Sequence, residues 1–407
     1  MSRELMKIGL RNETPLLLGG YDGSYSRTLG SRVIEEGLRA QSIKGLWRWW
    51  LRAYIAGALW DLYGYVSEQK VIKLAGKILG SPSGKEAISS SFKVRTELSY
   101  SRCDRLSNIT RFPRVSLLFV GRGGGYYARN LKALLSVYEV KRKDREHLLG
   151  NEERILALGS LITSLILSGI GKGGRRGLGC LNIRVFTDAT NRFKRLVNIV
   201  SSPDRREEAL KNIVLETHRV AKQVVRNHEG SEKEEDMPSI PSLGWERRCS
   251  VGGSREPFRL YVASTNKSAF IIAQDIQDFC TRGRRLYKSH GSYTCKDAIV
   301  EKHVAWVLGL PREQKEQKKT AHGYSIVKNK VSRRASPFIF TAHNKWMSVS
   351  IFFSKDWPES IRWRGGGEDA FLDIECLDKI YEAYNTVEEV LKEYLKKQGY
   401  KLVQVIP

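Results

Sequence analysis

Apolar residues recur along this chain with two periods, and the switching between them predicts its elements. Met6, Ile8 and Leu10 alternate with Lys7, Gly9 and Arg11, the two-residue period of a half-buried strand. The alternation returns at Phe92, Val94 and Thr96, at Val115, Leu117 and Phe119, and at Leu181, Ile183 and Val185. Between these runs the period lengthens to that of a helix. Ile43, Leu46, Trp47, Trp50, Leu51 and Tyr54 share one face of a helix that Ser42 can cap and that runs to about Trp60. Ile155, Leu158, Ile162, Leu165 and Ile166 do the same within 151–168. Residues 131–141 suit strand or helix, and 101–111 are basic and irregular. Strand, helix, two or more strands, helix, strand is the βαββαβ order of a ferredoxin-like domain with insertions.

The second half repeats the alternation of types. Ser202-Pro203-Asp204 opens an amphipathic helix reaching about His228, and an acidic, proline-punctuated loop follows over 229–241. Phe258, Leu260 and Val262 read as a strand, and helices are expected over 267–281 and 296–308, the latter stopped by Gly309-Leu310-Pro311. Ser336 to Thr341 and Trp346 to Phe353 are apolar, β-branched or aromatic runs, hence strands, and Ile374 to Lys397 closes as a helix. Residues 312–330 are charged and expected to be mobile.

One stretch stands outside both periods. Residues 169–180 are largely glycine, interleaved with Lys172, Arg175 and Arg176. Glycine lets a backbone approach another molecule closely, so this loop could offer amide N–H groups and cations to phosphates together. Gly169, Gly171 and Gly174 match G-x-G-x-x-G, but that dinucleotide fingerprint needs a strand before it and a helix after it. Here the order is reversed, so nucleotide binding is rejected. The alternative is a solvated turn. A second basic feature lies on the first helix, where Lys44, Arg48 and Arg52 recur at i, i+4 and i+8. Like charges at that spacing cost stability, which a phosphate backbone would relieve; otherwise the stripe is a solvated face. Trp47 and Trp50 are core anchors by size and face. Trp49 lies off that face, available to a base or to a partner protein.

Composition narrows the function. The chain has 407 residues, enough for two domains or one large one, and its 41% hydrophobic content supplies a core. A net charge of +25 implies a polyanionic partner, nucleic acid before membrane, since no lysine-rich amphipathic helix or lipidation motif is present. Residues 155–170 are apolar but shorter than the ~20 a bilayer requires. No signal-peptide core opens the chain, so a cytoplasmic protein is expected. Its six cysteines are scattered without a C-x-x-C pair, so neither a metal site nor a disulfide framework is expected.

Residues 42–53, the loop 171–179, Gly309-Leu310-Pro311 and Arg333-Arg334-Ala335-Ser336-Pro337 together resemble the RAMP superfamily of CRISPR-associated RNA-binding proteins. Within it they are most similar to the first subunit of the Cmr (type III-B) effector complex. The resemblance implies an α+β fold of two ferredoxin-like, RRM-like domains, placed here at 1–190 and 191–407. It implies binding to guide RNA (crRNA) or target RNA at one end of a multisubunit assembly, with other Cmr subunits as partners. Lys44, Arg48, Arg52, Lys172, Arg175, Arg176, Arg333 and Arg334 are the RNA-binding candidates it implies. No catalytic residue or cofactor is implied.

The rival class is a metal-independent endoribonuclease of the same superfamily. That chemistry needs a general base and acid, commonly His. All seven His lie from 147 onward, and only His290 and His322 sit in expected loops. Glu232, Glu234, Glu235 and Asp236 read as a solvated acidic loop rather than a metal site. A protein-interaction scaffold with a basic face is the third reading.

Overall fold

The structure is a computed structural model that describes residues 2–18, 26–29, 32–35, 38–81, 88–109, 112, 115, 126–140, 149–226, 234–251, 253–281, 298–310, 312–314, 322–328, 333–365 and 368–407. Alternation along the first strand sets the first sheet. In β1 (Ser2–Asn12), Met6, Ile8 and Leu10 are buried while the intervening residues face away. After it come helices α1 (Ala40–Tyr63) and α2 (Glu68–Leu79), then strands β2 (Phe92–Arg105) and β3 (Tyr126–Val140). Helix α3 (Asn151–Ile166) and strand β4 (Leu181–Asp188) complete this half. The four strands lie antiparallel in the order β2-β3-β1-β4, with Ile8 opposite Leu135 on one side and Val185 on the other. Helices α1 and α3 cover the face carrying those residues, and Trp47 meets Phe92 there at 5.3 Å.

Several expectations are corrected in this half. Residues 101–105 continue β2, and 131–140, which suited strand or helix, belong to a strand. Two register shifts, near Leu98 and near Arg102, break the period of β2 and hide it from pattern reading. Helix α1 begins before Ser42, at Ala40, with Arg39 at the N-cap position and no side chain capping it; it ends where Gly64 turns left-handed. Leu117 and Phe119 lie outside the described residues.

Helices α4 (Lys194–Ile199) and α5 (Arg206–Val225) follow, and α5 packs on α1 and α3. The second half then lays down β5 (Phe258–Ser264), α6 (Ala269–Cys280), β6 (Phe338–His343), β7 (Trp346–Phe352), α7 (Leu377–Lys397) and β8 (Lys401–Ile406). These strands are also antiparallel, in the order β6-β7-β5-β8. Both faces of this sheet are covered. Helices α6 and α7 take one, through Phe279 against Phe340 and Tyr384 against Phe338. The other face rests on the helices of the first half, where Phe352 meets Trp49 at 5.0 Å and Trp50 at 5.5 Å. The layers therefore run sheet, helices, sheet, helices.

The expected helix over 296–308 is only Ala298–Glu301 and a 3-10 turn at Ala305–Leu308. His303 between them has φ 52, which no α-helix continues through. Residues 312–330 were expected to be mobile, yet Arg312–Gln314 and His322–Lys328 join Ser360–Gly365 and Glu368–Asp373 in a small antiparallel sheet. Among the described residues, no helix is long and apolar enough to cross a membrane.

Candidate nucleic-acid interface

Helix α1 carries the predicted cationic stripe, and carbonyl groups hold two of its three charges. Lys44 Nζ donates to Phe92 O at 2.9 Å, and Arg48 Nη2 donates to Leu79 O at 3.0 Å and Gly80 O at 3.2 Å. The latter carbonyls close α2, the negative end of its dipole. They relieve the like-charge spacing that a phosphate was expected to relieve. Arg52 stays exposed; partial burial and the neighbouring Arg48 lower its pKa against the pull of Glu68.

The glycine-rich loop is not the open cradle its composition suggested. Several of its N–H groups turn inward: Gly169 donates to Gly174 O, Ile170 to Gly179 O, Lys172 to Leu17 O and Gly179 to Pro15 O. From there the loop docks on the second half. Phe340 donates its N–H to Arg175 O at 3.0 Å, Gly177 donates to Phe340 O at 3.1 Å, and Gln277 Nε2 donates to Arg176 O. Gly177 has φ 76, and a Cβ there would stand 2.9 Å from Ile276, so only glycine permits this approach.

Arg175 and Arg176 follow the backbone into that joint. The Arg175 guanidinium lies 4.5 Å from the centre of the Trp49 ring and donates to Ser336 O at 2.6 Å. Burial, with Arg334 and Arg176 nearby, lowers its pKa to about 10 despite Asp356. Arg176 donates to Leu308 O at 2.6 Å. Trp49 joins the two halves, with Arg175 over its ring and Phe352 at its edge. Arg334 is also interior, bound to Asp356 Oδ1 at 2.8 Å and stacked 4.7 Å from Trp357. Arg333 beside it is exposed, and Lys172 is half-buried. The structure therefore brings Arg175, Arg176 and Arg334 together in the core of the joint. Lys44 and Arg48 are drawn instead toward α2 and β2.

Sequence reasoning passed over the polar residues that alternate with the buried ones in the first sheet. Lys7, Arg11, Lys93, Arg95, Lys132 and Arg184 all lie on its outward face, opposite the helices. The signal was the alternation itself, in which each apolar residue was weighed and each cation between was not.

Among the described residues, two His–carboxylate pairs and one cluster of possible metal ligands bear on catalytic and metal chemistry. His218 Nε2 lies 2.8 Å from Asp61, and His343 Nδ1 lies 3.0 Å from Glu13, but the side chains of both pairs are buried. Burial tends to raise the pKa of Glu13, yet hydrogen bonding and attraction from His343 bring it below the usual carboxylate range. Asp61, His218 and Glu246 place ligand atoms within 4.8 Å of one another. Asp61, however, already accepts the N–H groups of Trp245, Glu246 and Arg247, and Lys222 holds Glu246 at 2.6 Å. Glu234, still largely exposed, pairs with Arg247, and Glu235 pairs with Lys355. Glu232, His290 and the side chain of His322 lie outside the described residues.

The family comparison bears on the same segments. The RAMP superfamily model matches residues 10–182. That RAMP match includes the α1 stripe, the glycine-rich loop and parts of all four strands of the first sheet. Solved structures extend the likeness across the whole chain. A chain of the cryo-EM structure of the Type III-B Cmr-beta bound to cognate target RNA and AMPPnP, state 2, in the presence of ssDNA, is 15% identical, with a TM-score of 0.57 over 95% of this chain and 99% of that one. A chain of the Cmr-beta structure bound to cognate target RNA alone is 16% identical, with a TM-score of 0.57 over 93% and 99%. Cmr1 from Pyrococcus furiosus, in its apo crystal form, is 16% identical, with a TM-score of 0.51 over 98% of each chain. At these identities the likeness is one of fold. Among curated proteins no related sequence is found.

Proposed function

We propose that this chain is a non-catalytic RNA-binding RAMP subunit of a type III-B Cmr effector complex, at one end of the assembly, in the cytoplasm. It would bind the backbone of guide RNA, target RNA or both, beside other Cmr subunits. The observation that carries this reading is the shared fold over 95% of this chain and 99% of a chain from a target-RNA-bound Cmr structure. A net charge of +25 supports a polyanionic partner. The repeated strand order, with βαββαβ succession in each half, supports two ferredoxin-like units, assigned to 1–190 and 191–407 with α5 at their joint.

A salt titration of single-stranded RNA binding tests the central reading. Contact with roughly six phosphates gives a log–log slope near −4 for a single strand. Binding that does not change between low and high salt would overturn it. Labelled RNA incubated with and without divalent metal should remain intact. Cleavage abolished by His290→Ala or His322→Ala would establish the endoribonuclease reading instead.

A further inference from the structure

Among the described residues, helices cover the first sheet on one face only. Its outward face is set by register: Arg95, Ser136 and Lys7 lie side by side, as do Tyr100, Lys132 and Arg11, and Gly9 and Arg184. Arg11, Lys93, Arg95, Lys132 and Arg184 are exposed and Lys7 is half-buried. The acids beside these cations are Glu97, paired to Arg95 at 3.0 Å, Glu4, which accepts from Thr187, and Glu13, 3.8 Å from Arg11. Cations therefore outnumber acids on a surface made of rigid strands.

Two rings interrupt the charge. Tyr100 is 49% exposed on β2 and Phe186 is 44% exposed on β4, at opposite edges of the sheet. Phe186 is positioned by an absence: Gly9 has no side chain, and a Cβ there would stand 2.9 Å from the Phe186 ring. The ring thus lies over the backbone of β1 with its outer surface open to solvent. Arg184 stands 5.8 Å from its centre. With the Phe186 ring over β1, two strand spacings, about 10 Å, separate it from β2, a span of two or three stacked nucleotides. Exposed rings interleaved with cations match a ligand that carries both flat bases and charged phosphates.

We propose that this outward face is a binding platform for single-stranded RNA, with bases stacked on Phe186 and Tyr100 and phosphates held by Lys7, Arg11, Lys93, Lys132 and Arg184. The proposal rests on the RNA-binding reading above and gives it a location. It also accounts for a backbone-reading protein whose glycine-rich loop and Arg334 are engaged inside the molecule.

Anisotropy titration of a labelled oligouridine with the full chain tests it. Phe186→Ala and Tyr100→Ala should each weaken binding about tenfold, the scale of one lost base stack. Lys93→Ala/Lys132→Ala/Arg184→Ala should lower the log–log salt slope by about 2. Thermal melts should stay at the parent value, since these side chains are exposed. Parent-like RNA binding by all these variants would overturn the platform while leaving the functional reading intact. No RNA binding by the parent would overturn that reading and the platform together. Loss in the triple variant with no loss in Phe186→Ala or Tyr100→Ala would overturn the stacking. Polyglutamate should bind without dependence on Phe186; equal dependence would make the face a protein-docking surface.

Discussion

The two sheets share a strand order and differ in what covers them. In the second sheet, every residue of Phe338–His343 and Trp346–Phe352 is buried, because α6 and α7 close one face and the first half closes the other. In the first sheet, buried and solvent-facing residues alternate along β1 and β4. A strand covered on both faces reads as a continuous apolar run, and one covered on a single face alternates. The difference teaches where a ligand can reach: one sheet is the core of the molecule, and the other turns half its side chains outward.

The largest expected effect lies at the joint that buries the second sheet. Trp50→Ala removes a ring packed on Phe352 and a hydrogen bond to Ser168, and should cost about 3–5 kcal/mol in denaturant unfolding. A loss below about 1 kcal/mol would mean the halves do not depend on this contact.

Next comes the buried charge cluster on the far face of the second sheet. Burial would raise the pKa of Glu388, but Arg255 and Arg259, with hydrogen bonds from Tyr261 and Lys392, hold it at about 2. A depressed carboxylate stabilises the fold fully above its unfolded pKa. That stabilisation is lost as pH falls from the ordinary 4.5 toward about 2. Glu388→Gln should cost about 3 kcal/mol at neutral pH, since Arg255 would remain buried without its partner. The variant should also flatten the acid limb of stability measured by circular dichroism. An unchanged acid limb would contradict the assignment.

A smaller effect separates the joint from the RNA surface. Arg175→Ala loses its stack on Trp49 and its bond to Ser336, about 1–2 kcal/mol in a thermal melt, with RNA affinity changed less than twofold at saturating fold. Smallest in stability is Arg184→Ala, within about 0.5 kcal/mol of the parent, while its RNA binding weakens.

The elements with long, regular patterns were legible: β1, α1, α3, α5, β5 and α7 follow from periodicity alone. Trp47 and Trp50 were correctly placed in the core. Strand β2 was only half legible because its bulges break the alternation. The small sheet that includes 322–328 was hidden by its charge, although Tyr324 and Trp363 are buried there. At the candidate site, composition left two uses of the loop open. Glycine and arginine in 169–180 suit a phosphate cradle and suit equally a chain that must pass close to a neighbouring strand. Only the hydrogen bonds to Phe340, Ser336 and Leu308 distinguish the two, and they connect residues more than a hundred positions apart.

Ultraviolet crosslinking of bound RNA, with the attached peptides located by mass spectrometry, tests the central claim most directly. The account predicts crosslinks in the β4 peptide containing Phe186 and the β2 peptide containing Tyr100. Crosslinks confined to 169–180 and 333–334, with none in the first sheet, would contradict it.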